Sequence, residues 1–282
     1  MHSAVVITAL ILPLWADEPK KTYEVETKKN IAYRTGADAD PVRHKLDLYL
    51  PKDAKDYPLV VFIHGGAWTL GSKDDFGMYA GLGKALAKQG IGMAAVNYRL
   101  SPKVQHPSHI EDVAAAFAWV HANAEKFGAS KDKLFVCGHS AGGHLCALLA
   151  TDESYLKKHN LDLKAIKGAI PISGVFFIAP GFLRNVFGQD DELRKKAQPA
   201  EHVKAGLPPF LILYADKDFR GCDRIPAEAF RVRLQDKKVE AETKEFKNSG
   251  HIQILLDLCK PEKPVFAAVR DFIVKRSSAK QK

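Results

Sequence analysis

Residues 134–150 read LFVCGHSAGGHLCALLA, and the fold turns on this stretch. Leu134 to Cys137 is an unbroken apolar run, as expected of a strand covered on both faces. Ser140 to Ala150 is helix-competent and almost wholly apolar, so it predicts a buried helix. Only Gly138 and His139 separate the two, which leaves no room for a loop, and the strand must turn straight into the helix. A residue at such a turn takes a strained backbone, and small residues two before and two after it let neighbouring segments approach. Gly138 and Gly142 stand at those places around Ser140. The Ser140 hydroxyl is then exposed at the carboxyl edge of a sheet, beside the N–H groups of the following helix. As a bare five-residue pattern GxSxG is common by chance; the strand-turn-helix context makes Ser140 a candidate nucleophile.

The same alternation extends in both directions. His44–Leu50, Leu59–Ile63, Ile91–Tyr98, Ile166–Ile172, Phe210–Tyr214 and Glu240–Phe246 read as strands. Tyr79–Gln89, Ile110–Phe127, Ala227–Asp236 and Pro264–Lys275 read as helices. Strand and helix in turn at this scale predict an α/β fold, with a mostly parallel central sheet and helices on both faces. No repeat or linker interrupts residues 23–276, which argues for one domain over residues 17–282. Residues 173–209 are longer than a single crossover helix requires and predict a small lid over a site.

The 282 residues are 46% hydrophobic and 27% charged, with a formal net charge of +9, which excludes a disordered or fibrous chain. The positive charge is scattered in Lys-Lys pairs and in the tail KRSSAKQK, with no aromatic-interleaved basic stripe, so no nucleic-acid partner is expected. Such a surface suits solubility and adsorption to anionic envelope polymers. Ala4 to Trp15 is an apolar run too short for a membrane span and is expected to be an export signal cut after Ala16. A periplasmic or secreted protein with no stable membrane span follows from that reading. Its alternative is a buried N-terminal element, although the stretch DEPKKTYEVETKKN that follows is too polar to continue a core. Cys137, Cys146, Cys222 and Cys259 match no metal-knuckle spacing and are expected as free thiols, with Cys222 and Cys259 the one arguable pair.

The strand Leu59–Ile63 ends in His64-Gly65-Gly66-Ala67-Trp68, whose glycines free backbone N–H groups to face a substrate oxygen. With the N–H of Ala141, this turn is the expected oxyanion hole, and Trp68 is expected to wall the substrate pocket. A serine nucleophile also needs a base and an orienting acid. Asp216 and Asp218 both follow the strand FLILY, Asp223 reads better as a helix cap, and His251 follows the last strand.

HGGAW at 64–68, NYRLSP at 97–102 with HPSHIEDVAAAFAWV after it, and GHSAGG at 138–143 together resemble the α/β-hydrolase family. Within it they resemble hormone-sensitive-lipase-like carboxylesterases, kynurenine formamidases and bacterial feruloyl or acetyl-xylan esterases. The resemblance covers about residues 43–275. It implies an α/β-hydrolase fold and a serine carboxylesterase that acts through an acyl-enzyme on Ser140, with His251 as base. It also places the acid at Asp218 rather than Asp216, and the oxyanion donors at Gly66 and Ala67, with alanine where many relatives carry a third glycine. His64 is expected to brace the oxyanion turn, and His139 is given no catalytic step. The expected partner is a small ester, with an acylated polysaccharide as a further option, and neither cofactor nor metal is required. An amide hydrolase of the arylformamidase type with the same triad, or an inactive binding module on the same scaffold, are the competing readings.

Overall fold

The computed structural model describes residues 21–278; the apolar run at 4–15 and the expected cleavage site after Ala16 lie outside the described residues. Eight strands form one sheet: β1 (Val25–Ala32), β2 (Lys45–Pro51), β3 (Tyr57–Ile63), β4 (Gly92–Val96), β5 (Ala129–His139), β6 (Gly168–Ile172), β7 (Phe210–Lys217) and β8 (Ala241–Gly250). Their spatial order is β1-β2-β4-β3-β5-β6-β7-β8. β1 and β2 pair antiparallel, as do β2 and β4, and every pairing from β4 onward is parallel. The crossovers run through α1 (Met78–Lys88), α2 (Ser108–Asn123), α3 (Ala141–Thr151) and α7 (Arg224–Asp236), and α9 (Pro264–Ser278) closes the fold.

Alternation along the strands divides the core in two. Val61 and Ile63 of β3, Val136 of β5 and Ile212 of β7 pack with α2, α3 and α7 on one face. Val60 and Phe62, Phe135 and Leu213 pack with α1 and α9 on the other. Near-continuous apolar runs in β3, β5 and β7 have this origin, since a strand covered on both sides has no polar face to show.

Two elements depart from the expectations set by sequence. The polar stretch assigned no core role forms β1, an antiparallel edge strand whose lysines and glutamate face water, as an edge strand tolerates. His251, which the sequence sets just after the last strand, is the first residue of a further helix that the sequence reading did not assign, α8 (His251–Leu258), which packs on the α1/α9 side.

Residues 173–209 form a cap with two short helices, α5 (Arg184–Phe187) and α6 (Asp191–Lys196), after the small helix α4 (Ser154–Lys157) has ended α3's excursion. The cap is tied down: Phe176, Val186, Phe187 and Ala197 are buried in the core, and His144 Nε2 of α3 donates to the Ala197 carbonyl at 2.7 Å. The NYRLSP and HPSHIED motifs have a structural part. Arg99 grips Asp112 through Nε and Nη2 at 2.8 and 2.7 Å, and His44 Nε2 reaches the same buried carboxylate at 3.0 Å, clamping α2 to the ends of β2 and β4. All four cysteines are free thiols, Cys222 and Cys259 included. No helix among the described residues is long and apolar enough to cross a membrane.

Candidate active site

Ser140 sits between β5 and α3 at φ 57°, ψ −120°, a conformation that L-residues rarely adopt. Two anchors hold it there. Its N–H donates to the Ile172 carbonyl of β6 at 2.9 Å, and its own carbonyl receives the His144 N–H at 3.0 Å. The close approach that sequence predicted is real: a Cβ on Gly142 would lie 2.1 Å from the Ile63 carbonyl oxygen, so α3 can start beside β3 only with glycine there.

The candidate base and acid arrive from the ends of β8 and β7. Ser140 Oγ–H donates to His251 Nε2 at 2.8 Å, and His251 Nδ1–H donates to Asp218 Oδ1 at 2.5 Å. Asp218 also accepts from Ser173 Oγ at 2.5 Å and from the N–H groups of Ala215 and Phe219 at 3.1 and 2.9 Å. Burial pushes its carboxyl up, but those donors outweigh burial and hold it below the usual carboxylate range. It is therefore ionised wherever the imidazole works.

The three acids of this stretch, Asp216, Asp218 and Asp223, have separate tasks. Asp216 points away from the imidazole and accepts from the N–H groups of Asn248 and Ser249, both at 2.9 Å, pinning the end of β8 that leads into His251. Asp223 caps α7 through the Ile225 N–H at 3.1 Å. Only Asp218 meets the histidine.

Gly66, Ala67 and Trp68 take successive positive φ values of 108°, 52° and 60°, closed by Thr69 and Leu70 N–H groups that both donate to the Gly66 carbonyl. Left-handed conformations at two non-glycine residues store strain, a pattern that recurs at functional sites. The N–H groups of Gly66, Ala67 and Ala141 meet no acceptor among the described residues. The turn abuts the serine, since a Cβ on Gly65 would lie 3.3 Å from Ser140 Cβ. His64 braces it from behind, donating from Nδ1 to the Gly65 carbonyl at 2.7 Å and stacking on Tyr98. Burial drops its imidazole to about 4, so it stays neutral near pH 7.

Trp68 is corrected. It is 2% exposed, packed edge-on against Phe187 and His144, and its Nε1–H donates to His144 Nδ1 at 3.3 Å. It is a core brace that joins the turn after β3 to α3 and the cap, not a pocket wall. An indole so close to the glycines invites the pocket reading, but its ring turns inward because the strained turn points it there. The exposed apolar surface beside the triad belongs to residues that sequence reading passed over. Phe219, 61% exposed, stacks on the His251 ring at 4.3 Å, and Leu70 and Ile252 flank the turn and the base. One signal for Phe219 exists in retrospect, an aromatic residue isolated within the polar run DKDFRGCDR. For Ser173 there is none, since a serine at a strand end is ordinary.

Among the described residues no group of three or more His, Cys, Asp or Glu side chains is placed to hold a metal ion.

In three dimensions the chain is similar to a truncated carbohydrate esterase from gut microbiota, with a TM-score of 0.78 at 22% identity, over 93% of this chain and 99% of that one. It is likewise similar to Esterase B from Lactobacillus rhamnosis, with a TM-score of 0.75 at 23% identity, over 93% and 89% of the two chains. The sheet order and the serine elbow, with these likenesses, define the class of fold: it is the α/β-hydrolase fold. Within that class, residues 46–173, which carry β2 to β6 and the serine, match the BD-FAE family model. Esterase LipC of Mycobacterium tuberculosis is 33% identical over 194 residues, covering 61% of this chain and 48% of that protein. The isoprenylcysteine alpha-carbonyl methylesterase ICME of Arabidopsis thaliana is 27% identical over 259 residues, covering 83% and 58%. The chain thus spans about half the length of the curated relatives it matches.

Proposed function

We propose that the protein is a serine carboxylic ester hydrolase. The observation that carries this reading is the continuous hydrogen-bonded line from Ser140 Oγ through His251 to Asp218, at 2.8 and 2.5 Å. His251 takes the serine proton as Oγ attacks the ester carbonyl, and the tetrahedral oxyanion is met by the N–H groups of Gly66, Ala67 and Ala141. The imidazolium, held by the Asp218 carboxylate, then protonates the leaving alcohol. Water, activated by the same histidine, releases the acid from the acyl-enzyme. The names of the relatives support the ester as substrate: an esterase, a methylesterase and a carbohydrate esterase.

The substrate we favour is a small ester, including acetyl groups on a polysaccharide, and the exposed Phe219 stacked on the His251 ring offers an apolar surface beside the base. Export is part of the same reading and rests on the apolar run at 4–15. The test is hydrolysis of p-nitrophenyl acetate, acetylated xylan and an aryl formamide by the wild type and by Ser140→Ala. We expect turnover of the esters, with the variant slower by at least about 1,000-fold. Ester turnover that survives in Ser140→Ala contradicts the proposal, and a preference for the formamide replaces the ester with the amide.

A further inference from the structure

The elbow histidine, His139, makes contacts that its position beside the nucleophile does not require. Its ring is buried, with one face tilted against the His251 ring at 4.7 Å between centroids. Its Nε2–H donates to the backbone carbonyl of His251 at 2.8 Å, a bond between residues 112 positions apart. The bond fixes the tautomer, with the proton on Nε2 and the lone pair on Nδ1. The space for the ring exists because residue 65 is glycine: a Cβ there would lie 3.2 Å from His139 Nδ1. The oxyanion turn, the nucleophile strand and the base are thus in mutual contact through this one imidazole.

We propose that His139 is a positioning residue for the reaction, tying the backbone of His251 to the strand that carries Ser140 and so setting the distance over which the proton moves. The inference rests on the triad reading given above. Neighbouring groups explain why the tie is needed. His251 opens α8, and Gly250 before it offers no side-chain cap. Asp216 holds the backbone at 248 and 249 from the outer side, and His139 holds it at 251 from the inner side. The His251 ring is hydrogen-bonded to Ser140 and Asp218 and stacks on the exposed Phe219. An uncharged donor suits this place, because a second cation would oppose the imidazolium that forms on His251. Burial, with His251 close by, depresses the His139 imidazole to about 3, so it stays uncharged near neutral pH.

The test separates the donor from the volume. His139→Met keeps the bulk and removes the N–H, whereas His139→Gln returns an N–H at the reach of Nε2. Folding is checked by thermal melting, and activity by steady-state kinetics on p-nitrophenyl acetate and by the rate at which a fluorophosphonate labels the serine. We expect kcat and the labelling rate of His139→Met to fall together by about 30-fold, with KM within about two-fold, and His139→Gln to recover to within about five-fold of wild type. A folded His139→Met that labels at the wild-type rate, or a His139→Gln as slow as His139→Met, overturns the proposal. Wild-type protein that labels but hydrolyses no ester sinks the substrate reading while leaving the labelling series to decide on His139; wild-type protein that takes no label sinks both. Should His139→Met not fold, nitrogen-15 NMR of the wild-type histidines decides. The proposal expects His139 as a neutral Nε2–H tautomer down to about pH 5, and an Nδ1–H tautomer contradicts it.

Discussion

The two halves of the site are built by different means. On the nucleophile side, from β5 through Ser140 into α3 with the turn after β3, position is set by main chain against main chain. Gly142 stands where no Cβ fits, Ser140 is held at positive φ by two backbone bonds, and the rings of His64 and Trp68 are buried behind the turn. On the base side, at the ends of β7 and β8, position is set by side chains. Asp218 gathers the donors of His251, Ser173, Ala215 and Phe219, Asp216 gathers two N–H groups, and His139 reaches across to close the gap. The difference teaches how each half should fail. Steric placement gives way as loss of fold, whereas hydrogen-bonded placement gives way as loss of rate.

Substitutions can break this contrast. The largest effect is expected on the base side: Asp218→Asn keeps the shape and removes the charge that holds the Nδ1–H tautomer, so kcat should fall by about 10,000-fold with little change in melting temperature. An equal loss in stability would erase the distinction. On the nucleophile side, Gly142→Ala drives a methyl into the Ile63 carbonyl and should destabilise by about 3 kcal/mol, visible as a lower denaturant midpoint. Unchanged stability there would mean that the β3–α3 approach is loose.

Acid should act on the nucleophile side as well. His64, His139 and His144 are buried and neutral, with imidazoles depressed to about 4, 3 and 3, chiefly by burial. Because their folded values lie below the ordinary imidazole value of about 6.5, the unfolded chain binds more protons than the folded one as pH falls. Their stabilisation is present in full above that value and is lost as pH drops from it toward the folded values. For the three together the loss is about 3 kcal/mol between pH 6.5 and 5.5. Equilibrium denaturation at those two pH values measures it, and His144→Gln should flatten the slope by about a third. The smallest effect is expected at Asp216→Asn, which keeps one acceptor for the two N–H groups: kcat should change by less than about three-fold. A loss there that matched Asp218→Asn would reverse the assignment of the acid.

The same contrast decides what could be read in the sequence. Steric demands leave a local mark: Gly138, Gly142 and the HGGAW glycines announced the serine and its turn, and the apolar runs announced strands covered on both faces. Side-chain bonding leaves little mark. Three aspartates within eight residues were indistinguishable by residue type, and the choice of Asp218 came from family resemblance, whereas the coordinates give each acid a different partner. Ser173 and His139 were invisible as contributors because their partners lie 45 and 112 residues away. β1 was missed because an edge strand need not be apolar, and Trp68 was misread because exposure depends on which way a strained turn throws its side chain.

The most direct test of the triad is to map where a fluorophosphonate attaches. Wild-type protein should gain one phosphonyl group, located by peptide mass spectrometry on Ser140, and His251→Ala should label slower by at least about 1,000-fold. An adduct on another residue, or labelling indifferent to His251, would contradict the account of a serine activated by that histidine.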